Sequence, residues 1–238
     1  MKESDSKKES PPPPHTRSAS ALLAGEGRTP ASNVLGLVLA GGLARRMGGG
    51  DKARLRVGGQ TILERVLERL AAQCATIVIN ANGDPARFAD TELPVIPDTV
   101  PGFVGPLAGI LAGLEWATKH APGVSDVVSV PGDCPFLPSD LVTRLATARR
   151  AAGVPLACAQ SGEWRHPVIG LWPVTLQPDL RQALVERGVR KVEMFTQPYG
   201  IALASWPTTP VDPFFNVNTP EDASQANRMA AASETATA

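Results

Sequence analysis

Apolar residues along this chain alternate between short continuous runs and runs spaced by three and four. Val34-Leu35-Gly36-Leu37-Val38-Leu39-Ala40 is short, apolar and rich in branched residues. Such a run predicts a strand buried on both faces of a parallel sheet. Ile62, Leu63, Val66, Leu67 and Leu70 then recur at helical spacing, and residues 76–79 form a second short apolar strand that ends in Asn80. Leu107, Ile110, Leu111 and Leu114 predict an amphipathic helix, residues 126–130 another buried strand, and Leu141, Leu145 and Ala148 a further helix. Strand–helix alternation of this kind folds as a mostly parallel three-layer α/β/α sandwich with right-handed crossovers. After Pro155 the segments shorten: strands at 155–159, 166–171 and 201–204, with a helix from about 175 to 187. No internal repeat is present.

The two ends differ in kind from this middle. Residues 4–30 hold four consecutive prolines, many Ser and Thr, and almost no large apolar side chain, so they lack the surface needed to offset the entropy of ordering. We expect a disordered extension over 1–33, one domain over 34–229 and a frayed Ala-, Ser- and Thr-rich end over 230–238. The apolar patch at 19–24 is too short for a signal-peptide core, and no apolar run reaches the length of a membrane span. Arg45-Arg46 precedes glycines rather than an apolar segment, unlike a twin-arginine export signal.

Composition narrows the function classes. With 238 residues and 43% hydrophobic content the chain suits one α/β domain with a substantial core. A formal net charge of zero argues against a nucleic acid or a membrane recognised by bulk charge. Cys74, Cys134 and Cys158 are odd in number and show no C-x-x-C spacing, which predicts free thiols in a reducing cytoplasm.

The strongest chemical signal follows the first strand. Leu39-Ala40-Gly41-Gly42-Leu43-Ala44-Arg45-Arg46-Met47-Gly48-Gly49-Gly50-Asp51-Lys52 joins a buried strand to a glycine-rich cationic loop. Glycines let backbone N–H groups converge on an anion, while Arg46 supplies a planar fork and Lys52 a point charge. These are the parts of a triphosphate site, at the carboxyl end of a strand where open α/β sheets bind ligands. It is neither a Walker loop, since Lys52 follows Asp51 and precedes Ala53, nor a G-x-G-x-x-G dinucleotide fingerprint.

The run L-A-G-G-x-x-x-R-M-G-G-x-D-K resembles the signature of the NTP-dependent nucleotidyltransferases, and Gly42 in its second glycine position resembles the molybdenum cofactor guanylyltransferases. The likeness continues through Val78-Ile79-Asn80-Ala81-Asn82, Val95-Ile96-Pro97-Asp98, Gly105-Pro106-Leu107-Ala108-Gly109, Pro131-Gly132-Asp133-Cys134-Pro135-Phe136, Arg165-His166-Pro167 and Phe215-Asn216-Val217-Asn218-Thr219-Pro220. It implies a three-layer Rossmann-like nucleotidyltransferase fold whose mixed sheet includes one antiparallel strand. It also implies transfer of GMP from GTP to molybdopterin with release of pyrophosphate, using Mg²⁺. Molybdoenzyme apoproteins or their chaperones are then the implied downstream partners.

The same resemblance gives roles to individual residues. Leu39, Ala40, Gly41, Gly42 and Lys52 would cradle the nucleotide, Asn80 and Asp98 would contact its guanosine part, and Asp133 would hold the metal. Asp133 lies just past a buried strand, and a carboxylate there suits Mg²⁺, which shares its shell with substrate phosphates; a turn aspartate bonded to its own backbone is the plainer reading. Arg165, His166, Arg190 and Lys191 could contact an anionic pterin phosphate, with solvated charge or a structural histidine as the alternative. Asn216 and Asn218 are second-line candidates, because Thr219-Pro220-Glu221-Asp222 already reads as a helix cap. Cys134 reads as a small buried filler. No general base is needed, since a phosphomonoester with a second pKa of about 6 is already largely ionised. A CTP-using relative, a sugar- or alditol-phosphate nucleotidyltransferase and a non-catalytic nucleotide- or molybdopterin-binding adaptor remain open on the residues alone.

Overall fold

The computed structural model describes residues 33–41, 55–102 and 105–235. The loop residues Gly42, Arg46 and Lys52, and the expected N-terminal extension up to residue 32, lie outside the described residues.

Among the described residues the central sheet has seven strands. In chain order these are β1 (Val34–Leu39), β4 (Thr76–Asn80), β5 (Val95–Ile96), β6 (Asp126–Pro131), β7 (Leu156–Ser161), β8 (Trp164–Pro173) and β9 (Ile201–Trp206); a small separate hairpin pairs β2 (Arg56–Val57) with β3 (Gln60–Thr61). The spatial order is β5-β4-β1-β6-β8-β7-β9. Strands β5, β4, β1 and β6 are mutually parallel, whereas β8 runs antiparallel to both neighbours and β7 is parallel to β9. This is the expected mixed sheet with one reversed strand.

Helices cover both faces. Helix α1 (Ile62–Ala71) begins at a capping box, in which Thr61 Oγ1 accepts from Glu64 N at 3.1 Å and the Glu64 carboxylate accepts from Thr61 N at 2.6 Å. Its inward stripe of Ile62, Leu63, Val66, Leu67 and Leu70 shares one core with α3 (Leu141–Ala152) and α6 (Pro220–Thr235). On the opposite face, α2 (Pro106–His120), α4 (Gln177–Val185) and α5 (Val192–Thr196) build a second core around Leu107, Ile110, Leu111, Leu180, Val192 and Phe195. Two cores separated by one sheet make the three layers.

Several boundaries differ from the sequence reading. The helix expected from about 175 is a 3₁₀ turn (Val174–Leu176) followed by α4, with Pro178 in the first turn of the helix. The β2–β3 hairpin and a 3₁₀ helix at Pro85–Thr91 are too short to leave a periodic pattern. Helix α6 continues past Met229, where composition suggested fraying. Ala226 and Ala230 are buried one turn apart, and Asn227 clamps the hairpin, accepting from Gly58 N at 3.0 Å and donating to Arg56 O at 3.2 Å.

Candidate active site

Four parallel strands point their carboxyl ends at one side of the sheet. The chain leaving β1 is tied to both neighbours there: Ala40 N donates to Asn80 O at 2.9 Å, and Gly132 N donates to Leu39 O at 3.0 Å. The start of the phosphate-loop motif, Leu39-Ala40-Gly41, therefore lies between the end of β4 and the turn that carries Asp133. Gly41 is exposed, and a Cβ built on it would meet no described atom within 4 Å. Its backbone is thus open to approach from outside the fold.

One rim is a hydrogen-bonded amide–carboxylate cluster. Asn80, only 4% exposed, donates from Nδ2 to Ile96 O at 3.2 Å and to Asp98 Oδ1 at 3.0 Å. Asn82 Nδ2 donates to the other carboxylate oxygen at 2.9 Å, and its Oδ1 accepts from Asp98 N at 2.9 Å. Each Asp98 oxygen accepts one of these bonds, and a carboxylate offers about four acceptor positions, so the half-buried Asp98 can still receive donors from a ligand.

Helix α2 presses against this cluster. Gly105, its N-cap, has φ 149°, a backbone conformation that side chains rarely adopt. A Cβ at Gly109 would fall 2.3 Å from Asn80 Oδ1 and 2.6 Å from Leu39 Cδ2. The second glycine of Gly105-Pro106-Leu107-Ala108-Gly109 thus makes room for Asn80.

Asp133 follows β6 by two residues. It is half-buried, and its Oδ1 is shielded from solvent and makes no hydrogen bond within the described residues, although the residue has further interactions. Its carbonyl accepts from Val217 N at 3.0 Å, which brings the 212–218 loop alongside. Among the described residues, no group of three His, Cys, Asp or Glu side chains could hold a metal. A single hard carboxylate two residues past β6 nevertheless fits Mg²⁺, which is commonly held by one or two carboxylates with substrate phosphates completing its shell.

Cys134, beside Asp133, is fully buried and donates from Sγ to Asn216 Oδ1 at 2.6 Å. Burial first, then the neighbouring charges of Asp133 and Asp212, push its thiol well above the usual range. A protonated, sealed thiol is no nucleophile, in keeping with the filler role.

The remaining candidates are spread over the antiparallel half. Arg165 and His166, successive residues of β8, belong to opposite faces of the sheet. Arg165 lines a cavity of about 360 Å³ with Cys158, Glu193, Met194 and Gln197, whereas the His166 ring lies 4.8 Å from that of Phe214 on the other side. Arg190 and Lys191 are exposed ahead of α5, with Lys191 as its N-cap; a Cβ at Gly105 would stand 3.9 Å from Arg190 O, so this segment reaches the start of α2. Asn216 and Asn218 are exposed on the loop before α6. The cap read from the sequence is present: Thr219 Oγ1 accepts from Asp222 N at 3.1 Å, and Asp222 Oδ2 accepts from Thr219 N and Asn218 N.

Two polar residues here escaped sequence reading. Ser161, fully buried at the end of β7, lies 2.8 Å from His166 Nε2 and 3.2 Å from Asp212 Oδ2. Burial lowers the His166 pKa below its ordinary 6.5, with Asp212 opposing the shift. No spacing signal announces a serine and an aspartate 51 positions apart.

An open glycine beyond a central parallel strand, flanked by an amide–carboxylate rim and an aspartate, defines an α/β protein of the open-sheet class with its polar groups gathered where such sheets bind ligands. Comparison with known families makes this specific. The model of the MobA-like NTP transferase domain matches residues 36–198, and the chain belongs to that family. It is 59% identical over 198 residues to a molybdenum cofactor guanylyltransferase of Bradyrhizobium sp. (strain ORS 278), covering 83% of this chain and 93% of that protein. Among solved structures, it resembles the molybdopterin-guanine dinucleotide biosynthesis protein A of Archaeoglobus fulgidus, with a TM-score of 0.65 and 23% identity over 83% of this chain and 99% of that one. A Mycobacterium tuberculosis protein solved in complex with manganese shares the fold at a TM-score of 0.59 and 16% identity, covering 83% of this chain and 99% of that one.

Proposed function

We propose that this enzyme transfers GMP from GTP to the terminal phosphate of molybdopterin, forming the guanine dinucleotide and releasing pyrophosphate. The observation that supports this reading most is the convergence of Gly41, the Asn80–Asp98–Asn82 rim and Asp133 at the carboxyl ends of β1, β4, β5 and β6. The 59% identity to a molybdenum cofactor guanylyltransferase supports guanine as the base and the molybdenum cofactor as the product.

In the reaction, an acceptor phosphate oxygen forms a bond to the α-phosphorus of GTP. The bond from that phosphorus to the bridging oxygen of the β-phosphate breaks, and pyrophosphate leaves with the electron pair. Since the acceptor arrives ionised, the protein's task is alignment and charge neutralisation. Leu39, Ala40, Gly41 and Gly42 offer backbone to the triphosphate, with Arg46 and Lys52 as its cationic clamps. The spare acceptor positions of Asp98 suit the N–H donors on the guanine edge, and Asn80 holds that carboxylate in place. Asp133 would hold Mg²⁺, which supplies positive charge against the α-phosphate and leaving group. Arg165, Arg190, Lys191, Asn216 and Asn218 form the acceptor side. The three buried free thiols suit a reducing cytoplasm, where the product would pass to molybdoenzyme apoproteins or their chaperones.

Incubation of the purified chain with Mg²⁺, molybdopterin and GTP labelled at the α-phosphate tests this. Labelled dinucleotide and equimolar pyrophosphate are expected with GTP and not with CTP. Transfer from CTP alone would overturn the base assignment, and nucleotide binding without pyrophosphate release would overturn the transfer.

A further inference from the structure

The reaction leaves three linked polar residues unused: His166, Ser161 and Asp212. A serine hydroxyl has one proton, and a carboxylate only accepts. Ser161 therefore donates to Asp212 Oδ2, and its oxygen is left to accept from His166 Nε2, 2.8 Å away. That fixes the imidazole with its proton on Nε2 and gives the chain one direction, from His166 through Ser161 to Asp212.

Asp212 opens the loop that reaches the active centre. Its other oxygen accepts from Phe214 N at 2.9 Å, and its carbonyl accepts from Phe215 N at 3.2 Å. The Phe214 ring is held between His166, at 4.8 Å, and Trp206, at 5.2 Å edge-on. Two residues later Asn216 takes the Cys134 thiol, and Val217 N bonds the carbonyl of Asp133. The loop is thus fastened at one end to the β7–β8 hairpin and at the other to Asp133 and Cys134 beyond β6.

We infer that His166 is a positioning residue: through Ser161 and Asp212 it latches the 212–218 loop against Asp133 and so places Asn216 and Asn218 on the acceptor side of the site. This rests on the acceptor reading above for those two asparagines. Direct contact of His166 with the pterin phosphate is not required, because its Nε2–H is committed to Ser161 and its ring to Phe214.

The loop also covers Cys134, which provides a readout independent of turnover. Thiol labelling of the folded chain, mapped by peptide mass spectrometry, should find Cys134 and Cys74 both protected in the wild type. His166→Leu and Ser161→Ala should each label Cys134 about tenfold faster with Cys74 still protected, and raise KM for molybdopterin about tenfold with GTP affinity unchanged. His166→Gln, which keeps an amide N–H near the position of Nε2, should restore both protection and KM. Unchanged Cys134 labelling in His166→Leu would overturn the latch, as would equal exposure of Cys74, which means general loosening, or an equal loss of GTP affinity. If the wild type transfers no GMP, the functional reading fails while the labelling still decides the latch.

Discussion

On the parallel side of the sheet every described candidate residue sits within two positions of a strand end. Ala40 follows β1, Asn80 closes β4, Asp98 lies two residues beyond β5 and Asp133 two beyond β6. On the antiparallel side the candidates come from a strand, a helix cap and a loop, and the loop is held by bonds between residues 51 and 82 positions apart. Parallel strands joined by crossovers all deliver their carboxyl ends to one edge, so a site forms there from local sequence. An antiparallel hairpin delivers no such row of ends, and the proposed acceptor side draws on long-range hydrogen bonds instead. On the proposed assignment, topology presets the nucleotide half and the inferred latch sets the acceptor half.

The sharpest test of this contrast removes the group at the junction. Asp133→Ala should lower kcat for pyrophosphate release by about 10²–10³ while the thermal unfolding midpoint is retained; near-normal turnover would place the centre elsewhere. A smaller effect separates packing from binding within the nucleotide half. Gly109→Ala and Gly113→Ala should each cost about 1–3 kcal/mol of stability by overpacking, measured by denaturant unfolding. Only Gly109→Ala, whose Cβ would displace Asn80, should also raise KM for GTP, because the atoms nearest a Gly113 Cβ belong to the Leu37 side chain, the first at 2.6 Å.

The acceptor half should carry a modest pH signature. His166 titrates below its ordinary 6.5 because burial disfavours the imidazolium. Between the folded and unfolded pKa the unfolded chain binds more protons, so stability is full above about pH 6.5 and falls as pH drops through the folded value. Unfolding of His166→Gln across pH 5–8 should lack this component, and parallel curves for the two proteins would remove His166 as its source. The smallest effect concerns neither half: deletion of residues 1–31 should leave turnover unchanged, and a large loss would tie that segment to the site.

Much of the nucleotide half was legible because strand–helix alternation and the position of a polar residue after a buried run carry its geometry. Asn80 and Asp98 stand out in sequence for that reason, though nothing in their spacing says that they bond each other or that Gly109 exists to admit Asn80. The acceptor half was legible only in part. Arg165 and His166 read as neighbouring candidates for one pterin phosphate, yet adjacent strand residues face opposite ways, and the sheet sends one to a cavity and the other to a loop.

The sequence by itself determined the alternation of elements, the glycine-rich loop after β1, the capped start of α6 and the order of motifs that marks the family. These depend on residue type, period and near neighbours. Only the tertiary structure decided the reversal of β8, the clasp of Asn80 and Asn82 on Asp98, and the path from His166 to the 212–218 loop. Such contacts join residues far apart in the chain, and their hydrogen bonds exist only once burial has brought the partners within about 3 Å and excluded the water that would otherwise satisfy them.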